Sequence, residues 1–210
     1  MEIPVKEIFD KIYKEEIICL PISNCYHIMS KSLIDISLEE LWQLFPIILS
    51  QHRPIWKDQA KDEIALLSDI CHVFHPTINH IGSTAIPGIV AKPIIDILME
   101  VEDGIDFNVI KDTLESKGYI CMSANNSRMS FNKGYTPAGY ADKVFHVHVH
   151  RQGDGDEIIF RNYLLSHPET AKEYENLKLS LLPKFRHNRD GYTDAKTEFV
   201  KKVILIAKQK

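Results

Sequence analysis

The sequence predicts a mixed α/β (α+β) fold: a β-sheet with flanking helices, followed by a C-terminal helical part. Three observations carry this prediction. From about residue 77, apolar runs of strand length alternate with a helix-length amphipathic segment. Beyond Gly153 the strand signal ends and only helical spacing remains. The chain has 210 residues, 44% of them hydrophobic, which is enough for one substantial core.

The elements follow in order. Residues 1–53 are expected to form a mainly helical N-terminal extension packed on a core domain of residues 54–210. In the extension, Ile8, Phe9, Ile12 and Tyr13 share one side of a helix over Lys6–Ile18. Ser37 followed by Glu39 and Glu40 has the form of a helix start, with Leu38, Leu41, Trp42 and Phe45 as its apolar face. Pro54 opens the next helix, where Trp56, Ala60, Ile64 and Leu67 recur at helical spacing. Thr77–Ser83 and Pro93–Val101 read as strands, the second apolar on both faces like a central strand. Ile105–Lys117 reads as a helix stopped by Gly118. Tyr119–Ser123 and Ser127–Asn132 are expected to pair around Asn125-Asn126. Gly134–Asp142 reads as a Gly/Pro/Tyr loop and Lys143–Arg151 as a strand. Helices are expected over Glu157–Ser166, Pro168–His187 and Tyr192–Lys208.

Bulk properties exclude several classes. Lys+Arg number 25 against Asp+Glu 29, a net charge of -4. That is no footprint for general nucleic-acid binding, although a local basic pocket is compatible with it. No segment approaches the roughly 20 apolar residues that span a bilayer, so no membrane partner is expected. The first residues, Met-Glu-Ile-Pro-Val-Lys-Glu, lack the form of a signal peptide. Cys19, Cys25, Cys71 and Cys121 are scattered without a Cys-x-x-Cys pair, so free thiols and a cytoplasmic location are expected.

The chemistry concentrates in three places. Gly82-Ser83 is a corner after a strand, where backbone N–H groups and a hydroxyl can approach a phosphate. Asp96 follows inside an apolar strand, and a carboxylate there is costly unless it is hydrogen-bonded or holds a cation. The second place is Val144–His150, whose strict alternation puts His146, His148 and His150 on one face. Neutral imidazoles in His-x-His can share a metal and suit transition ions better than Mg2+. Asp96 is expected to join them from an adjoining strand. The third place is the C-terminal helices. There Arg161, Arg189 and Lys196 can build an anion pocket opposite Ser83, with Tyr192 and Lys196 at i and i+4 on one helix face.

Gly-Ser, twelve intervening residues and then Asp96 in an apolar strand is similar to the layout of the nucleotidyltransferase superfamily. Its members usually carry a second carboxylate two residues on, where Leu98 stands here. Glu100 shares the Asp96 strand face, but about 13 Å of strand separates their Cα atoms. The set His80-Ile-Gly-Ser-Thr-Ala-Ile-Pro-Gly, Ala91-Lys-Pro-Ile-Ile-Asp-Ile-Leu, His146-Val-His148, Phe160-Arg-Asn-Tyr-Leu, His167-Pro and Tyr192-Thr-Asp-Ala-Lys196 resembles the GrpB family. The resemblance covers about residues 54–210 and implies a nucleotidyltransferase-like fold.

The resulting expectation is a protein that binds a nucleotide or another small phosphorylated ligand and transfers a nucleotidyl group. Asp96 and His148 are the expected catalytic residues. Gly82, Ser83, Arg161, Tyr192 and Lys196 are expected to hold the ligand. A divalent cofactor, Mg2+ or a transition metal, is expected on Asp96, His146 and His148, with Glu100 as a further candidate. Two alternatives stand beside this: a non-catalytic phosphate-binding module with a degenerate metal site, and a His-metal-dependent hydrolase.

Overall fold

The structure, a computed structural model, describes residues 45–136 and 139–209. The helices expected over Lys6–Ile18 and from Ser37 lie outside the described residues. Residues 45–53 contain no helix and a single β-bridge residue, Ser50. This segment meets the core through Ile47 N–H donating to the Arg186 carbonyl at 2.8 Å and a β-bridge between Ser50 and Ala91.

Helix α1 (Ile55–Ile70) starts after Pro54 and buries Trp56, Ala60, Glu63 and Leu67, one residue per turn. Strand β1 (Thr77–Ile81), a short 3-10 turn (Ser83–Ala85) and β2 (Ile95–Val101) follow. Helix α2 (Phe107–Glu115) is capped by Asp106, which accepts the Asn108 N–H at 2.8 Å. Strands β3 (Ile120–Ala124), β4 (Arg128–Thr136) and β5 (Gly139–Arg151) complete the sheet. Three helices close the described chain: α3 (Asp156–Ser166), α4 (Pro168–Phe185) and α5 (Arg189–Ala207).

The sheet order is β1-β2-β5-β4-β3. Among the described strands only the β2–β5 pair is parallel; β1–β2, β4–β5 and β3–β4 are antiparallel. The two central strands divide their side chains by alternation. Ile95, Ile97, Met99 and Val101 of β2 and Phe145, Val147 and Val149 of β5 join the main core with α1 and α2. Asp96, Leu98 and Glu100 share the opposite face with His146, His148 and His150. A second apolar cluster, including Ile86, Ile89, Phe160, Leu164 and Val203, packs α3–α5 against the loop between β1 and β2. The mixed α/β architecture with a C-terminal helical part is therefore the one its patterning predicts.

One expected element is wrong. Gly134–Asp142 is not a loop: β4 runs on to Thr136 and β5 begins at Gly139, with Tyr135 paired to Tyr140. Gly134 and the two tyrosines suggested a turn, but Gly134 serves as a bulge at φ +88°, where the register shifts. A Cβ at Gly134 would collide with the Lys143 carbonyl oxygen. The extra pairing lifts Tyr135 over the His146 side of the sheet.

Gly134→Ala should lower the unfolding free energy by about 3 kcal/mol, from the left-handed backbone and the backbone collision together. Gly104→Ala, at φ +91° with open space around it, should cost only about 1 kcal/mol. Chemical denaturation measures both. Equal losses would mean that the bulge is not sterically required.

Candidate functional site

Gly82 leaves β1 at φ +70° and turns the chain into the Ser83–Ala85 turn. A Cβ on Gly82 would overlap the Asp96 carboxylate, so glycine lets that carboxylate lie against the turn. Helix α4 holds the following loop by both polar groups of Val90. Glu175 accepts the Val90 N–H at 2.7 Å, and Lys178, one turn on, donates to the Val90 carbonyl. Lys178 also donates to Ser83 Oγ at 3.2 Å. Thr84 Oγ1 ties the same turn to the Ile94 carbonyl at 3.3 Å.

The parallel register sets Asp96 beside His146 and Leu98 beside His148. His146 Nδ1 lies 3.3 Å and His148 Nε2 4.0 Å from Asp96 Oδ1. One potential ligand atom from each of Asp96, His146 and His148 falls within 4.8 Å of the others. Such a group, two imidazoles and one carboxylate, fits a transition ion better than Mg2+, which prefers oxygen. Behind it, the Tyr135 hydroxyl is 2.8 Å from His146 Nε2, and Arg189 donates to that hydroxyl at 2.7 Å.

These groups open on a cleft of about 510 Å³ between the polar sheet face and the C-terminal helices. Gly82, Ser83, Asp96, His146, His148, Tyr192 and Lys196 all line it, as the sequence suggested. So do Arg189 and three side chains that were not assigned to the site: Lys92, Tyr174 and Lys178. A signal for two of these was present. Tyr174-x-x-x-Lys178 repeats the spacing of Tyr192-x-x-x-Lys196, and each lysine sits over its own tyrosine ring, at 4.8 and 4.5 Å from the centroid. Tyr135 was missed because its segment read as a loop.

Two expected residues, Arg161 and Glu100, lie elsewhere, as does His150 from the same strand face. Arg161 does not line the cleft; its Nη1 donates to the His80 carbonyl at 2.6 Å and its other nitrogens bond Asn162. Its sequence neighbours Phe160 and Tyr163 pack the helical layer, which turns Arg161 to brace the end of β1. Glu100 accepts the Gly153 N–H at 3.1 Å, well along the strand from Asp96, so it stands outside the metal-competent group. His150 shares the strand face of His146 and His148 but is 3% exposed, and its Nδ1 meets the Asp154 carbonyl at 2.8 Å.

The electrostatics favour an anionic ligand. Burial would raise the Asp96 carboxyl, but hydrogen bonds and charge from His146 and His148 overcome it and hold Asp96 well below the usual carboxylate range. Burial lowers His146 to about 4, against the pull of Asp96, so its imidazole is neutral at pH 7. Burial pushes the Tyr135 phenol well up and keeps it protonated. Burial lowers Lys92 to about 7, with Arg189 and Lys196 adding to the effect. Burial likewise lowers Lys178 to about 7, assisted by Lys196. Four basic side chains thus face a cleft whose acids are Asp96 and Asp190.

Comparison with known proteins places the chain in a family. Residues 46–205 match the family model described as GrpB protein. The chain belongs to the GrpB family. It is 37% identical over 168 residues to the glutamate-rich protein GrpB of Alkalihalophilus pseudofirmus, covering 75% of this chain and 94% of that one. It is 38% identical over 130 residues to a UPF0157 protein of Pseudomonas aeruginosa, but that match spans only 53% of the relative's length and 60% of this chain. The crystal structure of the conserved protein GrpB from Enterococcus faecalis superposes with a TM-score of 0.65 at 31% identity, covering 76% of this chain and 96% of that one. Among the described residues, no helix is long and apolar enough to cross a membrane.

The lysines make anion binding depend on pH. Lys92 and Lys178 are mostly charged below pH 7 and neutral above it. A bound anion favours their charged forms, so binding above pH 7 takes up protons and weakens as pH rises. The limiting slope is about tenfold per pH unit per lysine. Sulfate, whose own charge is constant here, should bind more tightly at pH 6 than at pH 8 in isothermal titration. Equal affinities would mean that neither lysine titrates in this range.

Proposed function

We propose that the cleft binds a nucleotide or another small phosphorylated ligand and transfers a nucleotidyl group from it. The observation that carries this reading is the convergence of the Asp96–His146–His148 group with Lys92, Lys178, Arg189 and Lys196 in one cleft. Ser83 Oγ and Lys178 Nζ, 3.2 Å apart, are placed to share a phosphate oxygen. Lys92, Arg189 and Lys196 neutralise the remaining charge, and Tyr174 and Tyr192 wall the pocket on the helical side. Asp96, His146 and His148 would hold a divalent ion, which when bound supplies Lewis-acid polarisation of a phosphoryl oxygen. Asp96 and His148 are then the side chains nearest the chemistry. Catalysis on this reading is mainly positioning and electrostatic stabilisation. Buried thiols at Cys71 and Cys121 agree with a reducing, cytoplasmic setting.

A second reading, a binding module without catalysis, is favoured by Leu98. This residue is 0% exposed and adds no carboxylate to the Asp96 face. The two readings separate in a titration of the four ribonucleoside triphosphates with and without Zn2+, Mn2+ or Mg2+. The enzyme reading expects metal-dependent binding that falls about 100-fold or more in Asp96→Ala, together with pyrophosphate release that requires an acceptor. Nucleotide binding that ignores metal and survives Asp96→Ala would establish the module instead.

A further inference from the structure

His146 reaches Asp96 through Nδ1 and Tyr135 through Nε2, so its two ring nitrogens have different partners. A neutral imidazole carries one N–H and one lone pair, and the partners decide which nitrogen has which. Arg189 can only donate, so it occupies a lone pair of the Tyr135 oxygen. The ionised Asp96 carboxylate can only accept, so the proton of the neutral ring belongs on Nδ1, which faces Asp96 Oδ1 at 3.3 Å. Nε2 then keeps the lone pair, and the Tyr135 hydroxyl, 2.8 Å away, donates to it. Every group in the chain Arg189–Tyr135–His146–Asp96 is satisfied this way.

The same arrangement closes the site to a metal. The nitrogen that faces Asp96, and with it the space an ion shared with Asp96 would take, is the one bearing the proton. A metal needs the lone pair there, so the proton must sit on Nε2 and find an acceptor. The Tyr135 oxygen has a second lone pair for it, 2.8 Å away, and the displaced hydroxyl hydrogen can turn to the neighbouring Tyr140 oxygen. The hydroxyl can therefore serve as donor in one state and as acceptor in the other.

We propose that Tyr135, braced by Arg189, is a positioning residue that sets the His146 tautomer: it donates to Nε2 without metal and accepts from Nε2 once a divalent transition ion occupies Asp96, His146 and His148. The proposal rests on the metal reading of this site and adds the group that makes His146 a competent ligand. Metal-bound imidazoles generally donate their second N–H to an oxygen acceptor, and loss of that acceptor costs roughly 10–100-fold in metal affinity. Tyr135 also packs against Phe45 and Tyr140, with ring centroids 5.0 and 5.3 Å away, so a purely structural role is the competing explanation.

The test is made on the full chain with Zn2+ alone as the probe. Nitrogen NMR of 15N-histidine-labelled protein reads the protonated ring nitrogen of His146 directly and needs no variant at Tyr135. The expected result is protonated Nδ1 without metal and protonated Nε2 with Zn2+. Isothermal titration of Tyr135→Phe should show Zn2+ affinity reduced about 10–100-fold. Zn2+ binding to the unaltered protein with Nε2 already protonated beforehand would overturn the proposal while leaving the metal reading intact. So would a folded Tyr135→Phe protein with unchanged affinity. No Zn2+ binding by the unaltered protein would overturn the metal reading and this proposal with it.

Discussion

The parallel pairing of β2 with β5 is the constraint on which the site depends. Its register sets Asp96 opposite His146 and Leu98 opposite His148. A slip of one residue would turn Asp96 into the core and bring Ile95 or Ile97 to the cleft. Such a slip is opposed by the whole apolar face: Ile95, Ile97, Met99, Val147 and Val149 are almost fully buried against α1 and α2. At about 1.5–3 kcal/mol for each large side chain, this burial far outweighs any single polar contact in the cleft. The core thus pins the geometry of the charged face, and the charged face need not be intrinsically stable.

The free cleft is electrostatically strained in a particular direction. Lys92, Lys178, Arg189 and Lys196 are crowded into partly desolvated surroundings, and two of the lysines have lost much of their affinity for protons. An anion would relieve this repulsion. Asp96 is held ionised by its two imidazole neighbours despite its enclosure, while 28% of its side-chain surface remains open to the cleft. Helix α4 links these regions. Its Glu175 and Lys178, one turn apart, grip the backbone of Val90, and Lys178 reaches Ser83 as well. The anion side and the Gly-Ser turn are therefore fastened by the same lysine.

Local chemistry made much of this readable from residues alone. Alternation placed His146 and His148 opposite Phe145, Val147 and Val149, and the carboxylate in an apolar strand marked Asp96. Gly82-Ser83 at a strand end marked the turn. Pairing beyond local sequence was harder to read. Gly134 looks like a loop residue until the Lys143 carbonyl is brought beside it, so the β4–β5 extension and the position of Tyr135 stayed hidden. Arg161 looked like an anion ligand because charge type is visible in sequence and direction is not; helix packing turned it to the His80 carbonyl. Lys178 is a charge on a helix, where burial is not visible from residue type, yet it is 2% exposed. Glu100 shares the strand face of Asp96, but the Gly153 turn claims it.

Anomalous diffraction from crystals of the protein grown with Zn2+ and recorded on both sides of the zinc absorption edge tests the central claim most directly. The expected result is one strong peak about 2.0–2.2 Å from an Asp96 oxygen, His146 Nδ1 and a His148 ring nitrogen. A cleft without a peak, or zinc found only at surface histidines such as His72 and His75, would contradict it.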